Sequence, residues 1–155
     1  MAQGFEDWQT QVNISGQLIR PLLARTYLGY PIELYSSFDY GIGGSDYLIN
    51  IYSPGITLGG YIEIRGTLSR KNDTFVIYSD GHVSTIWSAF KLNEYGIITP
   101  DVTFLYQIKY DDTNFLYIIG IKPGLVFDSG FKILFNELTG VAITIKCVVV
   151  YGLPL

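Results

Sequence analysis

Apolar and polar side chains alternate in steps of two through most of this chain, the pattern of strands with one face buried and one wet. The run DVTFLYQIKY (101–110) sets Val102, Phe104, Tyr106, Ile108 and Tyr110 on one face, and Thr103, Leu105, Gln107 and Lys109 on the other. GVAITIKCVVVY (140–151) sets Val141, Ile143, Ile145, Cys147, Val149 and Tyr151 against Ala142, Thr144, Lys146, Val148 and Val150. Both of its faces are largely apolar, which predicts a central strand, and Pro154 ends it. Further strands are predicted at 31–38, 46–53, 56–68, 73–79, 82–87, 115–121 and 130–136. Turn signals separate them at Gly41 to Gly44, Ser53-Pro54-Gly55, Asp80-Gly81, Asp111 to Asn114, Pro123-Gly124 and Glu137 to Gly140. Short strands at this spacing predict an all-β fold, an antiparallel sandwich or jelly roll of about eight to ten strands.

Helix is scarce. SAFKLNEYG (88–96) predicts one short helix, with Ser88 as N-cap and Gly96 as its left-handed stop. In residues 5–28, Leu18, Ile19, Leu22 and Leu23 fit a helical face, but Pro21 breaks any helix running through them. Residues 1–28 are read as an arm with at most one helical turn, docked on this subunit or a neighbour, and residues 29–155 as a single β-sandwich domain. No internal repeat, low-complexity run or linker interrupts it.

Composition narrows the function classes. At 155 residues the chain is one domain's length, able to bury roughly 70% of its unfolded surface without staples. Ten basic and fourteen acidic residues give a net charge of −4, with the basic ones scattered singly except for Arg70 and Lys71. A nucleic-acid binder needs a clustered positive face, so no nucleic-acid partner is expected. The longest uncharged stretch, Tyr47 to Ile62, carries Pro54, Gly55, Gly59 and Gly60 and reads as strands and turns, so no membrane span is expected. The start, MAQGFEDWQT, lacks the regions of a signal peptide and is read as that of a cytoplasmically made protein. Only 15% of residues are charged while 15% are aromatic, thirteen of them tyrosine. Such a domain exposes tyrosine and amide surface or hides apolar surface against copies of itself, which points to self-association.

Candidate chemistry is sparse. The only histidine, His82, stands between Asp80 and Ser84, but Asp-Gly between two β-rich runs is a hairpin signal, because a type I′ turn needs positive φ at both central residues. That turn pairs Ser79 with His82, Tyr78 with Val83 and Ile77 with Ser84, leaving the imidazole at an exposed tip without the buried partners a catalytic histidine needs. One histidine and the distant Cys147, read as a buried strand residue, make no metal site, and no cofactor is expected. The run Val126-Phe127-Asp128-Ser129-Gly130 resembles the hydrophobic-hydrophobic-Asp-Ser/Thr-Gly motif of aspartic proteases, whose small dimeric members are all-β and give one aspartate per subunit. Phe131 stands where that family has a small residue, and only twenty-five residues follow Gly130, too few for the family's flap and second hydrophobic-glycine segment. Ile118 to Gly120 has that segment's composition but precedes the aspartate, so Asp128-Ser129-Gly130 is read as a loop. Asp111, Asp112 and Asn114 carry oxygens for calcium but lack a dedicated loop's spaced acidic series, and are read as a hairpin loop.

Aromatic residues remain as an interface or ligand platform, on which sugar rings or protein surfaces pack at small entropic cost: Phe5, Trp8, Tyr27, Tyr30, Tyr35, Tyr40, Trp87 and Tyr95, with Tyr47 and Tyr52 beside predicted turns. Taken together, the N-terminal arm, the charge-poor short strands and the long apolar stretch TGVAITIKCVVVYGLPL resemble the organisation of small jelly-roll virion proteins of tailed bacteriophages, of the capsid-decoration, accessory or fibre-head type. This resemblance rests on no specific motif and implies a virion location, a non-enzymatic structural role, homo-oligomers with trimers favoured, and terminal arms gripping other virion proteins. The alternative within the same fold class is a module binding carbohydrate or a host receptor, with the dimeric aspartic protease third.

Overall fold

The computed structural model describes residues 30–40, 44–141 and 143–153. Within them the chain forms eleven strands and one short helix: β1 (Tyr30–Tyr40), β2 (Gly44–Ile51), β3 (Gly55–Gly66), β4 (Thr74–Ser79), β5 (His82–Val83), β6 (Trp87–Ser88), α1 (Ala89–Glu94), β7 (Leu105–Asp111), β8 (Leu116–Ile121), β9 (Val126–Phe127), β10 (Phe131–Glu137) and β11 (Ile143–Leu153). One sheet runs β1-β11-β3-β8-β7 with β9 beside the start of β3; the other runs β2-β10-β4-β5 with β6 on β4. Every pairing is antiparallel. With β6, β7 and β9 set aside as additions, the remaining strands cross repeatedly between the sheets, and the first and last of them are neighbours. That is the connectivity of a jelly roll, two Greek keys folded face to face.

The core follows from period-two patterning. Ile62 and Ile64 of β3, Ile119 and Ile121 of β8, and Ile145, Cys147 and Val149 of β11 are fully buried from one sheet. Phe75, Phe131, Ile133 and Phe135 meet them from the other, with Phe127 stacked on Phe131 at 5.5 Å and Phe75 against Phe135 at 5.3 Å. Each such side chain contributes roughly 1.5–3 kcal/mol by leaving water, so this layer supplies most of the driving force. As its two apolar faces predict, β11 is central, paired with β1 on one side and β3 on the other, and even the outward Val148 is 7% exposed. Gly60 permits that closeness: a Cβ there would lie 2.2 Å from the Val148 carbonyl oxygen, with φ at +155°. Gly59 and Gly60 therefore lie inside an unbroken strand, and the stretch from Tyr47 to Ile62 is divided only at Tyr52 to Pro54.

Three elements differ from the sequence reading. The strand expected at 82–87 is two short pieces, β5 and β6, separated at Ser84 to Ile86. β9 was not anticipated. β7 begins at Leu105, leaving Val102 73% exposed, and carries an irregularity between Gln107 and Lys109. The extra residue, Ile108, shifts the alternation, so Gln107 opposite Ile119 and Tyr110 opposite Tyr117 are both turned inward. The Gln107 side-chain amide donates to the Lys109 and Ile118 carbonyls at 2.5 and 3.2 Å, covering polar groups that the bulge frees.

Candidate functional site

The hairpin at Asp80-Gly81 organises one end of the sandwich. Asp80 has φ +52° and Gly81 φ +81°, and Ser79 pairs with His82 and Tyr78 with Val83, as a type I′ turn requires. The Ile77 amide donates to Ser84 Oγ at 3.1 Å, and the Ser84 amide to the Ile77 carbonyl at 2.8 Å. His82 is exposed, and the Asp80 carboxylate turns away from it to the loop after β9. There it accepts from the amides of Asp128, Ser129 and Gly130 at 2.8, 2.6 and 3.2 Å and from Ser129 Oγ at 3.1 Å. These donors, led by the Ser129 and Asp128 amides, hold the Asp80 pKa below the ordinary carboxylate value. The Asp128-Ser129-Gly130 segment is thus a loop clasped by Asp80, with the Asp128 residue exposed and Ile118 to Gly120 away on β8 of the other sheet.

Beside this clasp the outer face of the second sheet gathers aromatic rings around a lysine. Because β10 lies between β2 and β4, Lys132 is opposite Asn50 on one side and Tyr78 on the other. Its Nζ sits 5.0 Å from the Tyr52 ring centre and 5.5 Å from that of Tyr47, and Tyr47 meets Tyr78 edge to face at 6.4 Å. Asn50 Nδ2 donates to the Tyr52 hydroxyl at 2.8 Å, orienting a ring that is otherwise 74% exposed. A cavity of about 140 Å³ opens here, lined by Tyr52, Tyr78, Gly81, Ser129, Gly130 and Lys132. On the other side of the hairpin, Ile77, Val83, Phe104 and Leu125 line a shallow apolar groove of about 220 Å³, which continues past Phe104 and Leu125 towards Lys122.

Of the aromatic residues singled out in the sequence, Phe5, Trp8 and Tyr27 lie outside the described residues. Tyr30, Tyr35 and Tyr40 fall on β1, opposite Leu153, Val148 and Ile143. Trp87 and Tyr95 flank α1 and meet edge to face at 6.5 Å, Trp87 half-buried and Tyr95 63% exposed. They sit by the first residues of β4, whereas Tyr78 is near its last, so the two aromatic groups do not converge. The helix between them is capped as predicted, with the Lys91 amide donating to Ser88 Oγ at 3.2 Å and Gly96 at φ +65°.

The densest set of ionisable groups is buried between the start of β4 and the end of β10. The Arg70 side chain is fully buried, 3.0 Å from Asp73 and 2.8 Å from Glu137, whose side chains are also inaccessible, and it donates to Thr139 Oγ1 as well. Asp73 accepts from the Leu138 amide at 3.0 Å, and Glu137 from the Thr139 and Gly140 amides at 2.7 Å each. Burial pushes the Asp73 carboxyl above its ordinary value despite Leu138 and Arg70. At Glu137, burial acts in the same direction but is outweighed by Thr139, Gly140 and Arg70, which bring it down to about 2. Nearby, Asp112 pairs with Lys71 at 2.6 Å and accepts from Ser69 and Tyr117. Those contacts, Lys71 first, lower Asp112 to about 2, while burial and then Asp112 raise Tyr117 to about 12. Asp112, Glu137 and Tyr117, held so far from neutrality, keep one protonation state and act as fasteners, whereas proton transfer favours a pKa near the working pH. Arg70, read from the sequence only as half of the one basic pair, heads the large fully buried side chains among the described residues. Among the described residues no group of three or more His, Cys, Asp or Glu side chains is placed to hold a metal ion. No protein-family model matches the chain, and no curated protein matches it.

Proposed function

We propose that this protein is a non-enzymatic structural component of a virion, acting through self-association and docking on a larger particle. The observation that carries this reading is how the polar and apolar groups are used. Asp73, Asp80, Asp111, Asp112 and Glu137 are engaged in pinning turns and strand ends, while large apolar side chains remain on the outside, including Val83, Ile86, Ile98, Val102, Ile108 and Leu138, each at least 48% exposed. A surface with so few charges is suited to permanent contacts, since interfaces that are never re-exposed tolerate more apolar area.

The groove formed by Ile77, Val83, Phe104 and Leu125 is the docking surface in this reading. β1 joins its sheet at the same end of the sandwich, because Pro31 pairs with Gly152, Gly152 with Ile56 and Ile56 with Val126, next to Leu125. Three inter-strand steps span only about 15 Å. The described chain therefore begins, at Tyr30, on the strand that is three pairings from the groove. Light scattering on the purified chain tests this, with three times the 17.4 kDa chain mass expected for a trimer. Val83→Lys, at a position 60% exposed, shifts the population towards smaller species without unfolding the sandwich. A monodisperse 17.4 kDa particle at micromolar concentration overturns the proposal.

A further inference from the structure

The cavity beside the Asp80 clasp is a second surface, and it shares no lining residue with the groove. We infer that the pocket lined by Tyr52, Tyr78, Ser129, Gly130 and Lys132 binds a single sugar residue carrying a carboxylate. Size comes first: about 140 Å³ is close to the ~150 Å³ of a cavity that takes one benzene ring, room for one ring and not for a folded partner. The lining is suited to a sugar, whose apolar ring face stacks on tyrosine while its hydroxyls need donors and acceptors. Tyr52 presents most of its ring to solvent and is held by Asn50, and the Tyr78 ring is half-buried against Tyr47.

Charge then selects the ligand. The Lys132 side chain makes no ion pair or hydrogen bond among the described residues, and its ammonium group lies over two tyrosine faces. A carboxylate on a stacked ring supplies that missing partner. The Asp80 carboxylate, held by the Ser129 and Gly130 amides, and the exposed Asp128, next in sequence to Ser129, repel a doubly charged phosphate ester roughly twice as strongly as a singly charged acid. The glycines at positions 81 and 130 keep the wall low, and a Cβ on Gly130 would lie 2.7 Å from the Ile51 carbonyl oxygen.

The test is an NMR titration of the full chain with glucuronate, glucose and glucose 6-phosphate. Glucuronate is expected to shift the amides of Gly81, Ser129, Gly130 and Lys132 and to bind at least about fivefold tighter than glucose, with glucose 6-phosphate no better than glucose. Lys132→Gln reduces glucuronate binding roughly tenfold, the worth of one charge-assisted hydrogen bond, and leaves glucose unchanged. Tyr52→Ala weakens both sugars about fivefold or more, and Tyr52→Phe, which keeps the ring but loses the Asn50 contact, recovers most of the binding. Tyr52 is exposed enough for its variants to fold, which unchanged amide shifts in β3 and β11 verify. The inference is overturned by equal binding of glucose and glucuronate, by tighter binding of the phosphate ester, by indifference to Lys132→Gln, or by no shifts at about 20 mM sugar. None of these outcomes bears on the oligomeric state, so the two proposals fail separately.

Discussion

Replacing Arg70 with methionine removes the one cation from a buried cluster and leaves two carboxylates facing each other without it. The guanidinium lies 3.0 Å from Asp73 and 2.8 Å from Glu137, and all three side chains are cut off from water. Breaking such a pair from one side costs about 3–5 kcal/mol, because the penalty is the stranded charge and not merely the lost contact. A domain of this size has roughly 5–15 kcal/mol in total, so Arg70→Met forfeits about a fifth or more and lowers Tm by on the order of 10 °C. Exchanging the whole cluster for apolar residues is no remedy here, since Asp73 and Glu137 also satisfy the amides of Leu138, Thr139 and Gly140.

The pH dependence separates this explanation from a simple loss of packing. Asp73 is already raised by burial, so its contribution is full below its unfolded value and declines as pH rises through its folded value. Glu137 is lowered to about 2, so its contribution is full above its unfolded value of about 4.5 and is lost as pH falls through its folded value. Without Arg70 both carboxyls shift upward and Glu137 loses part of its acid-side dependence. Urea denaturation at pH 7 and pH 5 should therefore show the variant's deficit shrinking at the lower pH as the stranded carboxylates take up protons. A deficit below about 1 kcal/mol at pH 7, or one that grows on acidification, refutes the reasoning.

Asp80→Ala releases the amides of Asp128, Ser129 and Gly130, and their hydrogen exchange should quicken about tenfold while β3 and β11 amides stay protected. In the wild type the lowered Asp80 pKa keeps this clasp closed from pH 7 to pH 5 and opens it only below the ordinary carboxylate range, which the shifts of those amides would follow. Gly60→Ala drives a methyl group to 2.2 Å from the Val148 carbonyl at a φ of +155°, and thermal melting should record a loss above about 2 kcal/mol. Cys147 is fully buried and pushed up to about 12 by burial, so thiol reagents should leave the native protein unlabelled and modify it fully in denaturant.

Local signals were the legible part of this fold. Asp80-Gly81 specified a hairpin and its register through the positive φ that both residues tolerate, and Ser88 and Gly96 bracketed α1 through capping chemistry. The central place of β11 was legible because both of its faces are apolar. Features made by an extra residue or by distant pairing were not. Strict alternation put Gln107 and Tyr110 of β7 on opposite faces; the bulge at Ile108 brings both inward, and nothing in the run marks it. Arg70 and Asp73 are three residues apart, but Glu137 joins them only after β10 has paired with β4, so its segment read as a polar turn. The ring of Tyr47, Tyr52 and Tyr78 about Lys132 has the same origin: the residues come from three strands or their ends, and only the sheet order assembles them.

The position of β11 has a consequence for how the molecule is made. The last strand in chain order is inserted between β1 and β3, and it fills the middle of a sheet instead of extending its rim. During synthesis β1 and β3 emerge with facing edges open, and they stay unsatisfied until residues 143–153 have left the ribosome. The sandwich therefore closes late and as a unit, the slow regime of long-range strand pairing. A nascent chain stalled before Ile143 would leave β1 without its partner strand and β3 with one bare edge, the state most open to capture by a chaperone or by another unfinished copy.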